Sequence, residues 1–240
     1  MGDIKLPVSE IFYSIDGEGA RTGLPVIFIR LFGCNLNCSY CDTRYACKAD
    51  EADEDGIVGF DMMDFDRIMF NIKQYEPCKC ITLTGGEPLI HENTARLVML
   101  LRQNGYEVNI ETNGAVDLNE LIDSQEIMVN PGEDVGGYFI TMDWKSISSG
   151  ESEKMLESNL ALLGPEDVLK FVVGNTEDLD QMKEVIKSHP NLDTQVYVSP
   201  IFGQIEPADI VAYVLENELV NVKVQVQLHK VIFDPAARGV

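Results

Sequence analysis

Residues 34–41 read CNLNCSYC and place three cysteines within eight positions. Three residues separate the first two cysteines and two residues separate the last two, so the run offers three thiolates. Iron–sulfur clusters are held by cysteine thiolates, four of them when a cubane is fully ligated. A local triplet leaves the fourth iron open, and in catalytic metal sites an open position is where an exogenous ligand binds. The spacing therefore predicts a four-iron cluster with one open iron.

Zinc and disulfides are the alternative uses of these cysteines. A structural zinc site needs a fourth ligand, and zinc spacings usually come as two CxxC-like pairs, whereas no second pair occurs in this sequence. The available histidines are only three, His91, His189 and His229. Disulfides belong to oxidising compartments, and the sequence begins MGDIKLPVSE without an apolar signal segment. We therefore favour the cluster over zinc and expect a cytoplasmic protein.

Composition narrows the class of protein. The 240 residues include 45% hydrophobic residues, enough for one sizeable core, so we expect a single domain over residues 1–240. No apolar run approaches the length of a membrane span. The formal net charge of −22 repels phosphate backbones, which argues against a nucleic-acid partner.

The acidic run at 49–55 is interpreted as a solvated loop. Three further cysteines are interpreted as structural: Cys47, Cys78 and Cys80.

Short β-rich runs alternate with helical patterns along the chain. Strands are predicted at 26–31, 80–84, 107–112, 126–130, 138–143, 168–173, 195–199 and 222–228. Helices are predicted at 60–74, 91–104, 151–163, 178–188 and 207–217. This alternation indicates βαβ units and a largely parallel sheet. Polar segments follow several strand ends, and a barrel gathers such ends around one mouth. We therefore expect an α/β fold of the partial (β/α) barrel kind.

The CxxxCxxC spacing with Tyr40 before the last cysteine resembles the radical S-adenosylmethionine enzymes. Residues 84–88, TGGEP, resemble the segment that binds the methionine amino group in that superfamily, with Glu87 as the acceptor. Taken alone, TGGEP is equally well an ordinary βα turn. The resemblance implies a partial barrel and a 4Fe-4S cluster on Cys34, Cys38 and Cys41. It also implies S-adenosylmethionine as the source of a 5′-deoxyadenosyl radical, so no catalytic side chain is expected.

Further segments resemble one family within that superfamily, the 7-carboxy-7-deazaguanine synthases. They lie at 10–19, 23–31, 33–43, 111–114, 141–145, 227–230 and 238–240. The resemblance implies contraction of the ring of 6-carboxy-5,6,7,8-tetrahydropterin to 7-carboxy-7-deazaguanine with loss of ammonia, in queuosine and deazapurine biosynthesis. It also implies a magnesium ion, a homodimer, and an electron donor such as flavodoxin or ferredoxin.

The same resemblance assigns site residues position by position. Thr43 is the expected magnesium ligand, with a helix or turn cap as its alternative role. Most family members have glutamine where this chain has Asp16, and an ionised aspartate accepts hydrogen bonds but does not donate them. The expected substrate contacts are Ile15, Asp16, Gly17, Arg30, Thr84 and Val240. The expected cofactor contacts are Tyr40, Cys41, Asp42, Gly86, Glu87, Asp143, Lys145, Ser199, Pro200, Ile201 and Phe202.

Other functions remain as alternatives from the sequence. The first is a radical S-adenosylmethionine activase that abstracts hydrogen from a glycine of a partner protein. The Gly-Glu-Gly segment at 17–19, Arg30 and Thr43 favour a small carboxylated substrate instead. A non-enzymatic electron carrier or zinc module is less consistent with the missing fourth ligand and the barrel-like pattern. His229 is interpreted as a hydrogen-bonded structural residue in a strand.

Overall fold

The computed structural model describes residues 4–48, 59–127, 135–235 and 237–240. Within these residues the chain forms nine β-strands and six α-helices. The strands are β1 Lys5–Ile15, β2 Pro25–Leu31, β3 Asp61–Asp64, β4 Cys80–Gly85, β5 Glu107–Thr112, β6 Tyr138–Trp144, β7 Val168–Val173, β8 Gln195–Pro200 and β9 Val222–Val224. The helices are α1 Phe65–Ile72, α2 Thr94–Gln103, α3 Asn119–Ile127, α4 Thr176–Ser188, α5 Pro207–Glu216 and α6 Leu228–Ile232.

All nine strands belong to one sheet, in the order β3-β1-β2-β4-β5-β6-β7-β8-β9. Strand β1 is antiparallel to β2 and β3, and every pair from β2 to β9 is parallel. The register sets Arg30 beside Thr84 and Asp143 beside Lys170. Because parallel strands end at the same edge, the polar residues that follow them meet at one end of the sheet.

The sheet is curled. Hydrogen bonds join the segment after β1 to the segment after β9, although these two strands lie near opposite edges of the sheet. The backbone N–H of Leu228, just past β9, donates to the carbonyl of Gly17, just past β1, at 3.0 Å. The Gln225 side chain accepts from the Gly19 backbone N–H at 2.7 Å. The sheet thus curves towards closure without strand pairing between its ends. This is the expected partial barrel.

The strands are rich in apolar residues because both faces of the sheet are buried. All six residues of β7 are buried, as is typical of a strand of a parallel sheet with both faces covered. Helix α1 buries Phe65, Ile68, Met69 and Ile72 on one stripe. Helix α2 is followed by Gly105, whose φ of +76° suits the left-handed residue that commonly ends a helix.

Two predicted helices need correction. In the stretch predicted as a helix at 60–74, the first residues pair with β1 as strand β3, and the helix begins only at Phe65. Asp64 sets that boundary, because its carboxylate caps the helix by accepting from the Arg67 backbone N–H. The predicted helix at 151–163 is instead two 3₁₀ turns, Ser152–Lys154 and Glu157–Leu162.

The predicted strands at 126–130 and 222–228 also differ from the structure. Residues 126 and 127 end helix α3, and residues 128–130 lie outside the described residues. Strand β9 stops at Val224, and Leu228 begins helix α6, so His229 is helical rather than in a strand. Strand β1 and helix α3 were not among the predicted elements. In the described ranges, no helix has both the length and the apolar character needed to span a bilayer.

Candidate functional site

A cavity of about 740 Å³ opens at the carboxyl ends of the parallel strands. The loop after β2, which carries the three cysteines, forms one wall. The other walls come from residues at the ends of β1, β4, β5 and β6, from Lys170 and Val172 in β7, and from the C-terminal residues. Most of the expected site residues line it: Ile15, Asp16, Gly17, Arg30, Cys34, Cys38, Tyr40, Cys41, Asp42, Thr43, Thr84, Gly86, Asp143, Lys145, Phe202 and Val240.

The three cysteines of the loop are free thiols that line the same wall. The sulfur of Cys34 accepts from the Leu36 backbone N–H at 3.4 Å and from the Asn113 amide at 3.7 Å. The pKa of Cys34 is lowered to about 6, most strongly by a hydrogen bond from the Cys47 thiol and less by those from Leu36 and Asn113. Burial raises the pKa of Cys38 to about 11. Donors aimed at sulfur suit a thiolate ligand of an iron–sulfur cluster.

A fourth thiol, Cys47, lies on the same wall, 3.9 Å from the Cys41 sulfur. Its position differs from that of the other two cysteines interpreted as structural. Cys78 precedes β4 and Cys80 begins it, at the end of the strand opposite the cavity, and the Cys78 thiol donates to the carbonyl of Pro25 at the start of β2. Cys47 lies only six residues past Cys41 in the sequence, and a turn rather than a motif brings its sulfur back to that of Cys41.

The cysteine loop is fastened by the TGGEP turn that follows β4. The backbone N–H of Glu87 donates to the Gly33 carbonyl at 2.8 Å. A Cβ atom on Gly86 would lie 2.3 Å from that carbonyl oxygen and 2.8 Å from Cβ of Cys34. Gly86 is therefore needed because the turn packs closely against the cysteine loop. The sequence predicted that Gly86 contacts the cofactor, whereas this close contact is with the protein itself.

Glu87 does not line the cavity. Its side chain is fully buried and accepts hydrogen bonds from the Thr112 hydroxyl at 2.9 Å, the Asn113 backbone N–H at 2.6 Å and the Leu89 backbone N–H at 3.0 Å. Burial raises the pKa of Glu87 to about 7 despite these donors. In the structure this carboxylate holds protein groups rather than facing the space for a ligand ammonium group.

A buried charge network connects β6, β7 and the segment after β1. Asp143 Oδ2 lies 2.8 Å from Lys145 Nζ and 3.8 Å from Lys170 Nζ, and Lys170 also pairs with Glu18 at 3.2 Å. Burial by itself would raise the pKa of Asp143, but the two lysines lower it. Four lining residues, Glu18, Asp143, Lys145 and Lys170, therefore carry charges that a polar ligand can meet in a water-poor space.

Of the four cofactor contacts expected around the end of β8, Phe202 lines the cavity, whereas Ser199, Pro200 and Ile201 do not. The Ser199 hydroxyl instead donates to Glu18 Oε1 at 3.0 Å. Ser199 thus holds Glu18, a member of the charge network, without lining the cavity itself. Ile201 is buried and pairs its backbone N–H with Val173.

Asp16 is nearly inaccessible to solvent, with 2% of its surface exposed. Its Oδ2 atom accepts from the Thr82 hydroxyl at 3.0 Å, and its Oδ1 atom accepts from the Glu18 backbone N–H at 3.4 Å. Burial, and then the nearby Glu111 carboxylate, raise the pKa of Asp16 to about 7. A carboxyl group with this pKa is partly protonated near neutrality, so it can donate as well as accept, as the amide of glutamine does.

Arg30 and Thr43 lie at two sides of the same cavity. Arg30 Nε donates to Glu10 at 2.6 Å, and the Tyr45 hydroxyl donates to the same carboxylate oxygen. Thr43 precedes the 3₁₀ turn Arg44–Ala46 but makes no side-chain cap hydrogen bond. Its hydroxyl donates to Asp42 Oδ1 at 2.9 Å, and Asp42 Oδ2 pairs with Lys230 at 3.0 Å. The cap role that was the alternative for Thr43 is not seen.

Several lining residues were not named as site residues from the sequence. Glu18, Glu111 and the 227–230 segment fall inside the motifs that carried the resemblance, so a signal was present. Lys170 has no such signal, because it lies within a strand in which every residue is buried. The additional polar lining residues include Glu18, Glu111, Asn113, Lys170, His229 and Lys230.

The donor set fits a cluster with a ligand on its open iron. Within the described ranges, no three His, Cys, Asp or Glu side chains converge closely enough to hold a single metal ion. The three thiols of the loop line the cavity together, and three thiolates leave one iron of a four-iron cluster open to a ligand. Two buried polar atoms of lining residues, the Tyr40 hydroxyl and Asp143 Oδ1, have no hydrogen-bond partner among the described residues. Such atoms suit the polar groups of a bound cofactor.

Comparisons with known proteins identify the family of the chain. Residues 28–130 match the family model described as the radical SAM superfamily. The chain is 39% identical over 236 residues to a protein named 7-carboxy-7-deazaguanine synthase from Clostridium acetobutylicum, covering 97% of this chain and 98% of that one. A protein of the same name from Chlorobaculum tepidum is 35% identical, over 98% of this chain and 97% of its own.

Two solved structures share the fold. The crystal structure of QueE from Escherichia coli superposes with a TM-score of 0.70 at 24% identity, covering 95% of this chain and 96% of that one. Streptococcus suis SuiB bound to S-adenosylmethionine gives a TM-score of 0.52 at 12% identity, covering 85% of this chain and 52% of that one. At these identities the likeness concerns the curled sheet and its order of elements.

Proposed function

The chain belongs to the 7-carboxy-7-deazaguanine synthase family of radical S-adenosylmethionine enzymes, and we propose that it contracts the ring of 6-carboxy-5,6,7,8-tetrahydropterin to 7-carboxy-7-deazaguanine with loss of ammonia. The observation that carries the proposal is one cavity with three free thiols on one wall and an arginine, a threonine and the C-terminal residues on the others. The product serves queuosine and related deazapurine biosynthesis.

Cys34, Cys38 and Cys41 hold the 4Fe-4S cluster in this proposal. When bound, the cluster and S-adenosylmethionine supply the one-electron chemistry that begins and ends with hydrogen transfer between cofactor and substrate. The protein positions both groups. Asp143 and Lys145 offer opposite charges to the methionine amino and carboxylate groups, and Asp143 Oδ1 is an acceptor without a partner among the described residues. Tyr40, Asp42, Gly86 and Phe202 complete the cofactor side.

The substrate lies between Asp16 and Arg30. Arg30 Nε is occupied by Glu10, and among the described residues its two terminal nitrogens have no hydrogen-bond partner. Those nitrogens bind the substrate carboxylate, because a guanidinium matches a carboxylate in plane. Ile15, Gly17, Thr84 and Val240 contact the rest of the substrate. Asp16 takes the place of the family glutamine through its raised pKa.

Thr43 would supply one oxygen ligand to a magnesium ion, and substrate oxygens and water would complete its coordination shell. This ion seldom uses an all-protein cage and keeps several waters. The Thr43 oxygen is available to it, since the Thr43 hydroxyl donates its proton to Asp42 and no side-chain cap is formed. Lys230 holds the pKa of Asp42 low against partial burial, so Asp42 stays ionised.

Two proteins act with this chain in the proposal. The first is a one-electron donor such as flavodoxin or ferredoxin, since the reaction needs reducing equivalents that the side chains do not supply. The second is another copy of the chain, as a homodimer. The enzyme works in the cytoplasm, because cluster ligation needs the thiols of Cys34, Cys38 and Cys41 in the reduced state and thiols persist in reducing compartments.

The test is turnover by anaerobically reconstituted protein. The carboxylated pterin, S-adenosylmethionine, magnesium and dithionite are supplied, and 7-carboxy-7-deazaguanine and ammonia are measured. Equal amounts of the two products are expected, with no net loss of S-adenosylmethionine beyond uncoupled cleavage. If 5′-deoxyadenosine accumulates while the pterin is unchanged, the enzyme has the cofactor chemistry but another substrate. The activase alternative then becomes the reading to test.

A further inference from the structure

Four thiols rather than three meet at the cysteine wall of the cavity. Cys47 ends the 3₁₀ turn Arg44–Ala46, and its backbone N–H bonds back to Arg44. The turn directs the Cys47 sulfur to a position 3.9 Å from the Cys41 sulfur and into hydrogen-bond contact with the Cys34 thiol. No step of the proposed reaction uses Cys47.

The position of Cys47 does not suit a fourth permanent ligand. A fourth thiolate on the cluster would close the iron at which the cofactor binds. The contacts of Cys47 in the described residues are instead to two cluster cysteines and to the Thr43 carbonyl, at 3.5 Å. A disulfide requires sulfurs about 2.05 Å apart. The two sulfurs are 3.9 Å apart, and both residues line the open cavity.

We propose that Cys47 is a resolving thiol for Cys41, forming an intramolecular disulfide with it when the cluster is absent and a small disulfide such as oxidised glutathione is present. The inference rests on the proposed role of Cys41 as a cluster ligand. A resolving cysteine beside an accessible thiol is the arrangement that keeps thiol oxidation reversible.

The reaction is a double thiol–disulfide exchange. The Cys41 thiolate attacks one sulfur of oxidised glutathione, forms a mixed disulfide and releases one glutathione thiolate. The Cys47 thiolate then attacks the Cys41 sulfur and releases the second glutathione. The two cysteine thiols are oxidised, the small disulfide is reduced, and the two protons end on the two glutathione molecules. A thiol reductant reverses both steps and restores the ligand set.

The test uses cluster-free protein treated with oxidised glutathione and mapped as non-reduced peptides. Three proteins are compared: wild type, Cys47→Ser, and the matched control Cys80→Ser. Wild type and Cys80→Ser should yield a Cys41–Cys47 bridge without glutathione on Cys41. Cys47→Ser should hold a lasting glutathione adduct at Cys41, because nothing resolves it.

A second readout is iron uptake after the oxidation. The bridged wild type should take up a cluster only after thiol reduction, and reduced Cys47→Ser should take up the same amount of iron as the wild type. The proposal is overturned by equal adducts on Cys41 in wild type and Cys47→Ser, by a bridge that excludes Cys47, or by loss of iron in reduced Cys47→Ser. No pterin enters these assays, so their failure is separate from failure of the proposed reaction.

Discussion

The carboxylate of Glu87 accepts a hydrogen bond from the backbone N–H of Asn113, with 2.6 Å between Oε2 and nitrogen. Asn113 in turn directs its amide nitrogen to the Cys34 sulfur at 3.7 Å. A residue of the TGGEP turn thus fixes the end of β5, and that end contacts a proposed cluster ligand. Glu87 acts through Asn113 and remains outside the cavity.

The Glu87 carboxyl should make stability depend on pH. Its pKa is raised from 4.5 to about 7, chiefly by burial, so the folded state binds the proton more tightly than the unfolded state. The stabilisation is full below the unfolded pKa and is lost as pH rises through the folded pKa. A shift of this size corresponds to roughly 3 kcal/mol. Relative to Glu87→Gln, wild type should lose stability across this window.

Denaturant unfolding of cluster-free protein at several pH values measures this difference. The comparison with Glu87→Gln removes the contributions of other titrating groups that both proteins share. A difference in unfolding free energy that stays constant from acid to neutral pH would show that Glu87 titrates normally.

Alanine at any of Cys34, Cys38 or Cys41 should abolish S-adenosylmethionine cleavage, because each change removes one of three protein thiolates. Cys78→Ala and Cys80→Ala are matched controls at the opposite end of β4, and their cluster iron should equal that of wild type. Iron content and 5′-deoxyadenosine formation are measured after anaerobic reconstitution. A Cys38→Ala protein that forms 5′-deoxyadenosine at the wild-type rate would exclude the cluster assignment.

Most of the parallel strands and the shared site at their carboxyl ends could be predicted because apolar runs and strand-end motifs are local signals. Strand β5 at Glu107–Thr112 and strand β7 at Val168–Val173 match their predicted bounds. The helix predicted at 60–74 begins too early, because Asp61–Asp64 pair with β1 as strand β3. Strand β1 carries many half-buried positions, so its apolar signal is weak.

The candidate site was predictable where a motif names the residue and not where folding alone brings it in. The cysteine loop, Arg30 and Thr43 follow from motifs. Lys170 reaches the cavity through pairing with Glu18, a residue 152 positions away in sequence. Glu87 matches its motif, yet its buried hydrogen bonds are invisible in the sequence.

Asp143→Asn should destabilise the fold. The change leaves Lys145 and Lys170 buried without their shared carboxylate, and breaking a buried pair on one side typically costs about 3–5 kcal/mol. Adding Lys145→Met to Asp143→Asn should recover part of the loss, because it removes the buried Lys145 charge that has lost its partner, whereas Lys170 still pairs with Glu18. Denaturant unfolding of Asp143→Asn, Lys145→Met and the double variant measures both effects. A double variant as unstable as the sum of the two single variants would argue against coupling of these side chains.

Thr43→Val should lower turnover and blunt the response to magnesium while the cluster still assembles. Valine nearly preserves the shape of threonine but deletes the oxygen. Thr43→Ser is the matched control, since it keeps the hydroxyl and should retain most of the response. Rate is titrated against magnesium concentration for the three proteins. If wild type and Thr43→Val give superimposable curves, magnesium binds elsewhere.

Arg30→Lys should bind the substrate poorly, although it keeps the positive charge. Lysine offers a point charge, whereas the guanidinium can hold Glu10 through Nε and a ligand carboxylate through its terminal nitrogens. Loss of a charge-assisted contact typically costs about 1.5–3 kcal/mol, which corresponds to a roughly ten- to hundred-fold loss of affinity. Substrate affinity of the two proteins is the measurement.

The carboxylate contact itself is tested with a pterin analogue that lacks this group. Wild type should discriminate strongly between the carboxylated pterin and the analogue, and Arg30→Ala should not. Because Arg30→Ala also leaves Glu10 without its partner, Glu10→Gln serves as the control and should still discriminate. Since magnesium beside Thr43 is the other cation able to hold a carboxylate, equal discrimination by wild type and Arg30→Ala would place that group on the metal.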